Sequence, residues 1–301
     1  MPSNFISMSD LSNSELQTLL EWSDNYRSRT DRAQPLIGQS VVLLFEKPSL
    51  RTKLSFDIGI YELGGHAIYM GANEIDLGVR EPVEDVAGVV ERWVAAIVAR
   101  VNDHSSLLRL AARASAPVIN ALSDVEHPCQ AVADLVTVRQ KLGKLDGLKV
   151  AYIGDANNCA LSLGIGCAAV GSQFAIASPA GYAFDPAAIS AIASRGATPL
   201  LTDDPREAVA DADVVYTDAW TSMGQEAEAA IRRQAFEGFQ INDRLLASAK
   251  PGALVMHPMP VHYGEEMPLG MLDHQQSVVF DQAENRLHAQ KAILRLVTVG
   301  E

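Results

Sequence analysis

The chain has 301 residues, 48% of them hydrophobic and 20% charged, an ordinary globular composition with enough length for two domains of typical size. A formal net charge of -13 and a pI near 5.0 would repel a polyphosphate backbone or an anionic bilayer, so neither nucleic acid nor a membrane is an expected partner. The apolar runs at 40–45 and 254–256 fall far short of the roughly 20 residues that span a bilayer. Any phosphate the chain binds must therefore be held by a local cluster of cations.

In chain order, the first 20 residues carry neither a basic leader nor a continuous apolar core, and they open a helix through the capping box Ser12-x-x-Glu15. Export is not expected. The apolar, β-branched run 40–45 reads as a buried strand that hands over to a helical pattern at 50–63. Ser49-Leu50-Arg51-Thr52 lies at that junction, where helix amides and dipole favour a phosphate. An equally good reading makes Ser49 a plain N-cap after Pro48 and leaves Arg51 and Lys53 as solvated charges. A helix is expected at 83–93 and a strand at 95–99, which puts Arg100 at a sheet edge, either as a ligand group or as the point where the strand meets water. A helix at 107–114 and a strand at 117–122 lead through Asp124-Val125-Glu126-His127-Pro128-Cys129-Gln130 into a helix at 130–142. His127 and Gln130 thus reach the carboxyl edge of a parallel sheet, where ligands bind. A histidine there can donate to a developing oxyanion, although a lone histidine beside proline is more often a structural hydrogen bonder.

The polar stretch 141–147 marks a domain boundary. The strand 148–153 then runs into Gly154-Asp155-Ala156-Asn157-Asn158, where a dinucleotide-binding fold would carry its phosphate loop. The G-x-G-x-x-G pattern is absent, so a nicotinamide cofactor is disfavoured; the two asparagines are ligands for a small polar molecule or a simple Asx turn. A strand at 173–177, a helix at 186–194 and a strand at 213–217 precede Asp218-Ala219-Trp220-Thr221-Ser222-Met223-Gly224. That loop suits a zwitterion, with Asp218 for an ammonium and Ser222 for a carboxylate, or is a surface loop over a buried Trp220. A helix at 242–249 and a strand at 253–256 lead to His257-Pro258-Met259-Pro260, whose prolines leave carbonyls free to accept from an amide NH2. His257 and His262 lack zinc-helix spacing and a nearby third ligand, so no metal is expected. A strand at 278–281 and a helix at 284–297 close the chain. The alternation predicts an α/β protein of two doubly wound parallel-sheet domains, 1–140 and 147–283, with the helix and its tail at 284–301 assigned to the first. Three cysteines, Cys129, Cys159 and Cys167, match neither a disulfide framework nor a zinc ribbon, and a reducing cytoplasm is the expected compartment.

Taken together and in this order, these segments resemble the aspartate/ornithine carbamoyltransferase family over essentially the whole chain. Ser49-Leu50-Arg51-Thr52 is similar to the family's Ser-Thr-Arg-Thr signature, and His127-Pro128-Cys129-Gln130 matches its His-Pro-x-Gln element. Asp218-x-x-x-Ser222-Met223-Gly224, Asp155-Ala156-Asn157-Asn158 and Ala283-Glu284-Asn285-Arg286 are similar to the ornithine branch. The resemblance implies an active site between the two domains, no cofactor, and a homotrimer or multiple of trimers in which a neighbouring subunit's loop completes the site. It implies that Ser49, Leu50, Arg51 and Thr52 hold the phosphate of carbamoyl phosphate, and that Arg100, His127 and Thr52 polarise its carbonyl. Gln130 and the Pro258-Met259 turn would hold the carbamoyl NH2, and Arg286 would complete the pocket. Asn158, Asp218, Ser222 and Met223 would hold an ornithine-like amino acid.

The chain departs from the ornithine pattern at three points. Pro258 stands where most ornithine enzymes carry a cysteine, Leu50 replaces a threonine, and Asp76 stands where a glutamine or histidine often meets the phosphate. A carboxylate there would repel the phosphate, so either Arg80 takes that contact or Asp76 points away. Ornithine, giving citrulline and phosphate, is the expected acceptor; a different diamino acid or amine is the alternative that Pro258 raises. A weakly active paralogue that binds carbamoyl phosphate is the reading from another class, opposed by the intact Arg51, Arg100, His127 and Arg286.

Overall fold

The computed structural model describes residues 4–75, 77–222 and 224–299, so Asp76 and Met223 lie outside the described residues. The chain forms two compact units: Met1–Val136 together with Glu284–Glu301, and Thr137–Ala283.

In the first unit, α1 (Asn13–Arg27) starts at the capping box expected from the sequence: Ser12 Oγ accepts from the Glu15 amide at 3.2 Å, and Glu15 Oε2 accepts from the Ser12 amide at 2.8 Å. There follow β1 (Ser40–Phe45), α2 (Leu50–Glu62), β2 (His66–Gly71), α3 (Ala72–Ile75), α4 (Val83–Val90), β3 (Ala96–Arg100), α5 (His104–Arg113) and β4 (Val118–Leu122). Then α6 (Pro128–Leu142) carries the chain across the boundary between the units. The four strands are all parallel, in the order β2-β1-β3-β4. On one face of this sheet Val42, Leu44, Ile97, Ala99 and Val118 meet Val83, Ala87, Leu107 and Leu110 of α4 and α5 in a buried apolar cluster.

The second unit contains β5 (Lys149–Ile153), α7 (Asn158–Ala169), β6 (Gln173–Ala177), α8 (Pro186–Ala193), β7 (Leu200–Thr202), α9 (Pro205–Val209) and β8 (Val214–Tyr216). It continues through α10 (Ala229–Ala235), α11 (Asp243–Leu246) and β9 (Leu254–Met256), and α12 (Val279–Thr298) leads back into the first unit. Its five parallel strands run β7-β6-β5-β8-β9. In both sheets the strand order reverses beside a central strand, between β1 and β3 in the first and between β5 and β8 in the second. Loops leaving the carboxyl ends of such a pair diverge and open a crevice, which is where ligands bind in doubly wound sheets.

Three expectations are corrected. Residues 278–281 are not a strand: the chain makes only a bridge from Ser277 to Val255 before α12 begins at Val279, because so short an apolar run carries no period that separates strand from helix. Strands β2 and β7 are additions to the expected set; both are short sheet edges with partly or fully exposed side chains. Helix α7 is a further addition, because Gly, Ala, Cys and Leu are buried almost all round it and no polar face marks its turn. Among the described residues, no helix is long and apolar enough to cross a membrane.

Candidate functional site

The junction after β1 places Ser49 as the N-cap of α2, its Oγ accepting from the Thr52 amide at 3.3 Å. The capping role is therefore real, and it also holds the first turn in a helical conformation with Leu50 and Arg51 at its start. Helices leave their first amides without intrahelical acceptors, so this turn is suited to an anion. Arg51 is partly buried, and burial lowers its pKa from the ordinary value. The Leu50 side chain is 70% exposed and apolar, so what this position offers an anion comes from its backbone.

Arg100 ends β3, next to β1 across the point where strand order reverses, and its carbonyl accepts from the Glu46 amide at 2.9 Å. The register with β4 shifts between Ala99 and Arg100, an irregularity of the kind that re-aims a side chain at a sheet edge. After β4, His127 precedes α6 and Gln130 lies in its first turn.

Arg286, from α12, joins these segments. Its Nη2 donates to Thr52 Oγ1 at 3.0 Å and its Nη1 to Gln130 Oε1 at 2.5 Å, across 234 and 156 positions of sequence. Gln130 in turn donates from Nε2 to Asp134 Oδ1 at 2.8 Å. Thr52, Arg100, His127, Gln130 and Arg286 are all 6% exposed or less. Burial holds the His127 pKa well below its ordinary value, and the nearby cations Arg286 and Arg100 push it further down. The imidazole is accordingly neutral at pH 7 and able to donate one hydrogen bond. Two buried guanidinium groups, a neutral imidazole and a threonine hydroxyl make a set of fixed donors, suited to a carbonyl oxygen that gains charge.

In the second unit the loops after β5 and β8 are tied together. Asn157 caps α7, its Oδ1 accepting from the Cys159 and Ala160 amides at 3.0 and 3.1 Å and from the Tyr152 hydroxyl at 3.1 Å. Its Nδ2 donates to Asp218 Oδ2 at 2.9 Å. Asp218 Oδ1 accepts from the Ala219 amide at 2.8 Å. Asn158 Oδ1 accepts from the Cys159 amide at 2.9 Å, and the Ser222 amide donates to Gln225 Oε1 at 3.1 Å. Asn158, Asp218 and Ser222 are all half-buried. The loop is pinned from beneath by Arg232, whose Nη1 donates to Asp155 Oδ2 at 2.8 Å and to the Trp220 carbonyl at 3.1 Å. Trp220 is itself buried and stacked on Phe236 at 5.6 Å. Burial raises the Asp155 pKa above the ordinary carboxylate value, opposed by its bond to Arg232.

Pro258 and Met259 follow β9 and are half-buried, with the Met259 backbone in the left-handed region at φ 61°. That conformation costs a non-glycine residue about 1–2 kcal/mol. His262, Glu265 and Glu266 bring possible metal-ligand atoms within 4.8 Å of one another. Both carboxylates already have partners: Glu265 Oε1 accepts from Arg233 at 2.7 Å and Glu266 Oε1 from the His262 amide at 2.6 Å.

Asp134 and Arg232 do not stand out as site residues in the sequence, and of the two readings of Asn157, ligand or cap, the structure shows the cap. An asparagine just ahead of a helix is a legible cap, but its second bond, to Asp218 at 61 positions' distance, has no local signature.

Comparison with known proteins bears on the whole chain. The family model described as "Aspartate/ornithine carbamoyltransferase, carbamoyl-P binding domain" matches residues 3–140, and the one described as "Aspartate/ornithine carbamoyltransferase, Asp/Orn binding domain" matches residues 146–297. The ornithine carbamoyltransferase of Acidothermus cellulolyticus is 48% identical over 296 residues, covering 97% of this chain and 95% of that one. The ornithine carbamoyltransferase of Thermococcus kodakarensis is 46% identical over 301 residues, with 97% and 95% covered. The solved structure of ornithine carbamoyltransferase from Pyrococcus furiosus superposes with a TM-score of 0.94 at 44% identity, covering 99% of this chain and 97% of that one. Matched along its length by both domain models and by close relatives, the chain belongs to the aspartate/ornithine carbamoyltransferase family.

Proposed function

We propose that this enzyme transfers the carbamoyl group of carbamoyl phosphate to the side-chain amine of L-ornithine, giving L-citrulline and phosphate. The observation that carries the reading is the Arg286 guanidinium tied to Thr52 and Gln130. That bonding holds a buried guanidinium beside the N-terminal turn of α2, a local cation of the kind an anionic substrate needs in a chain whose net charge is -13.

In this reading Ser49, Leu50, Arg51 and Thr52 hold the phosphate at the start of α2, and Arg100, His127 and Thr52 donate to the carbamoyl oxygen. Gln130 and the Met259 carbonyl, in the turn that Pro258 begins, take the carbamoyl NH2, and Arg286 braces the pocket. Asn158, Asp218, Ser222 and Met223 take the amino-acid head group, which leaves the side-chain amine free to attack. Attack forms a C–N bond and moves an electron pair onto the carbonyl oxygen, where the fixed donors stabilise it. Collapse breaks the C–O bond to phosphate, and the departing phosphate takes the proton from the new C–N nitrogen. Orientation and oxyanion stabilisation supply the rate. A His127 that stays neutral suits this scheme, because it donates without adding a charge that would compete with Arg51 for the phosphate.

We further propose a cytoplasmic homotrimer. Helix α2 exposes Leu50, Leu54, Ile58 and Tyr61 along one stripe, an apolar surface suited to a subunit interface, and Cys129, Cys159 and Cys167 are buried thiols outside any disulfide.

The test is ureido-product formation from carbamoyl phosphate with ornithine, lysine, diaminobutyrate, putrescine, acetylated ornithine and aspartate. The expected result is clear preference for ornithine. Preference for another amine would move specificity to the segment around Pro258, and no product with any of them would overturn the reading.

A further inference from the structure

One buried pair in the second unit takes no direct part in carbamoyl transfer. His257 and Glu266 are 1% and 0% exposed, and His257 Nε2 lies 3.2 Å from Glu266 Oε1. The other ring nitrogen, Nδ1, accepts from the Met259 amide at 2.8 Å. A ring nitrogen that accepts from an amide carries no proton, so the proton of the neutral ring is on Nε2 and is donated to Glu266. The carboxylate thereby selects the tautomer that can hold the Met259 amide.

The surroundings keep this line of bonds in place. The same Glu266 oxygen accepts from the His262 amide at 2.6 Å, fastening the far side of the turn. The His257 amide donates to Gln282 Oε1 at 2.9 Å, and Gln282 Nε2 donates to the Tyr216 hydroxyl at 3.1 Å. The Met259 side chain packs against the core of the second unit while its backbone sits at φ 61°, a conformation that persists in a non-glycine residue only where the surroundings enforce it.

We propose that Glu266 and His257 are positioning residues that set the peptide at Met259, and through it the carbonyl that takes the carbamoyl NH2; this rests on the site reading given under Proposed function. The arrangement accounts for the tolerance of proline at 258. The amide that His257 holds belongs to residue 259, so position 258 can change without breaking the line from Glu266 to the turn.

The experiment compares the whole chain as wild type, His257→Phe and His257→Asn, measuring Kd by calorimetry for carbamoyl phosphate and for inorganic phosphate. Both ligands use the phosphate-holding residues, and only carbamoyl phosphate has the NH2. Asparagine offers an acceptor oxygen to the amide two residues on, as in an Asx turn, whereas phenylalanine fills the space with no acceptor. His257→Phe is expected to weaken carbamoyl phosphate about tenfold and phosphate by less than about twofold, while His257→Asn keeps carbamoyl phosphate within about threefold. A residue that only filled the core would give the opposite ranking. If His257→Phe melts below the assay temperature, Glu266→Ala against Glu266→Gln makes the same comparison, since glutamine keeps the acceptor oxygen for Nε2. The proposal is overturned if His257→Phe retains the wild-type ratio of the two affinities, or if His257→Asn loses as much as His257→Phe. A wild-type protein that does not prefer carbamoyl phosphate to phosphate would instead sink the site reading itself, and this inference with it.

Discussion

The two units solve different problems with the same kind of parallel sheet. In the first, the candidate residues Thr52, Arg100, His127, Gln130 and Arg286 are buried, and side chains from three remote segments are bonded to one another. In the second, Asn158 at the first turn of α7 and Asp218 and Ser222 on a loop are half-buried, and the firm bonds are made by their supports, Asn157 and Arg232. A reacting group that develops charge needs donors that do not reorganise, and burial in a tied cluster provides that. An amino acid that must enter and leave needs loops that are shaped but not sealed. On the roles proposed above, the contrast assigns the chemistry to packing in the first unit and the choice of substrate to supported loops in the second.

The contrast can be broken most forcefully at Arg286. Replacing it by leucine strands Thr52 and Gln130 in the interior, so Arg286→Leu should destabilise the fold by about 2–4 kcal/mol in urea denaturation and reduce kcat to near background. His127→Asn sharpens the same side more gently. It should lower kcat by about a hundredfold while the KM for ornithine changes little, because a fixed donor to the oxyanion acts in the transition state. On the other unit, Asp218→Asn should raise the KM for ornithine by about tenfold, the cost of one charge-assisted bond, and leave the Kd of carbamoyl phosphate unchanged. If Asp218→Asn instead weakened carbamoyl phosphate as much as ornithine, the division of labour between the units would be wrong.

A pH titration of stability probes the first unit without touching substrate. The folded-state pKa of His127 lies below the unfolded value near 6.5, so below that pH the unfolded chain takes up a proton that the folded chain refuses. The stabilisation is complete above about 6.5 and is lost as pH falls toward the folded value, with a slope of at most about 1.4 kcal/mol per pH unit per group. His288 acts in the same sense, its pKa lowered by burial and then by Lys291. The midpoint of urea unfolding should therefore drop between pH 7 and 5.5, and His127→Asn should flatten part of that drop. The smallest expected effect is chemical. Burial pushes the Cys129 thiol up to about 12, so it should resist iodoacetamide at pH 8 in the folded protein and react only on unfolding.

Much of the fold and of the candidate site is legible in the amino-acid sequence because it sits where one element hands over to another. The runs that form β1, β3 and β5 are apolar and β-branched, and the residues just past them, Ser49 to Thr52, Arg100 and Gly154 to Asn158, stand where open α/β sheets bind ligands. What cannot be read there is what depends on distance. Nothing near Gln130 announces Arg286, and nothing near His257 announces that Glu266 selects its tautomer; both facts exist only after the chain has closed on itself. Edge strands escape for a related reason. The half-exposed side chains of β2 follow what lies beside the sheet, and sequence alone does not say where a sheet stops.

The position of Arg286 has a consequence for how the protein is made. Its partners Thr52 and Gln130 leave the ribosome first, and another 156 residues separate Gln130 from the guanidinium that joins them. At ordinary elongation rates of about 5–20 residues per second, that is a delay of roughly 8–30 s in which the first unit can fold its sheet but cannot complete its cationic cluster. The stretch from Glu284 onward belongs to that same first unit. A chain released early, even one with every strand in place, would lack the group that ties Thr52 to Gln130. Completion of the cluster is thus a late event of synthesis, and truncated products would be expected to accumulate as inert protein rather than as partly active enzyme.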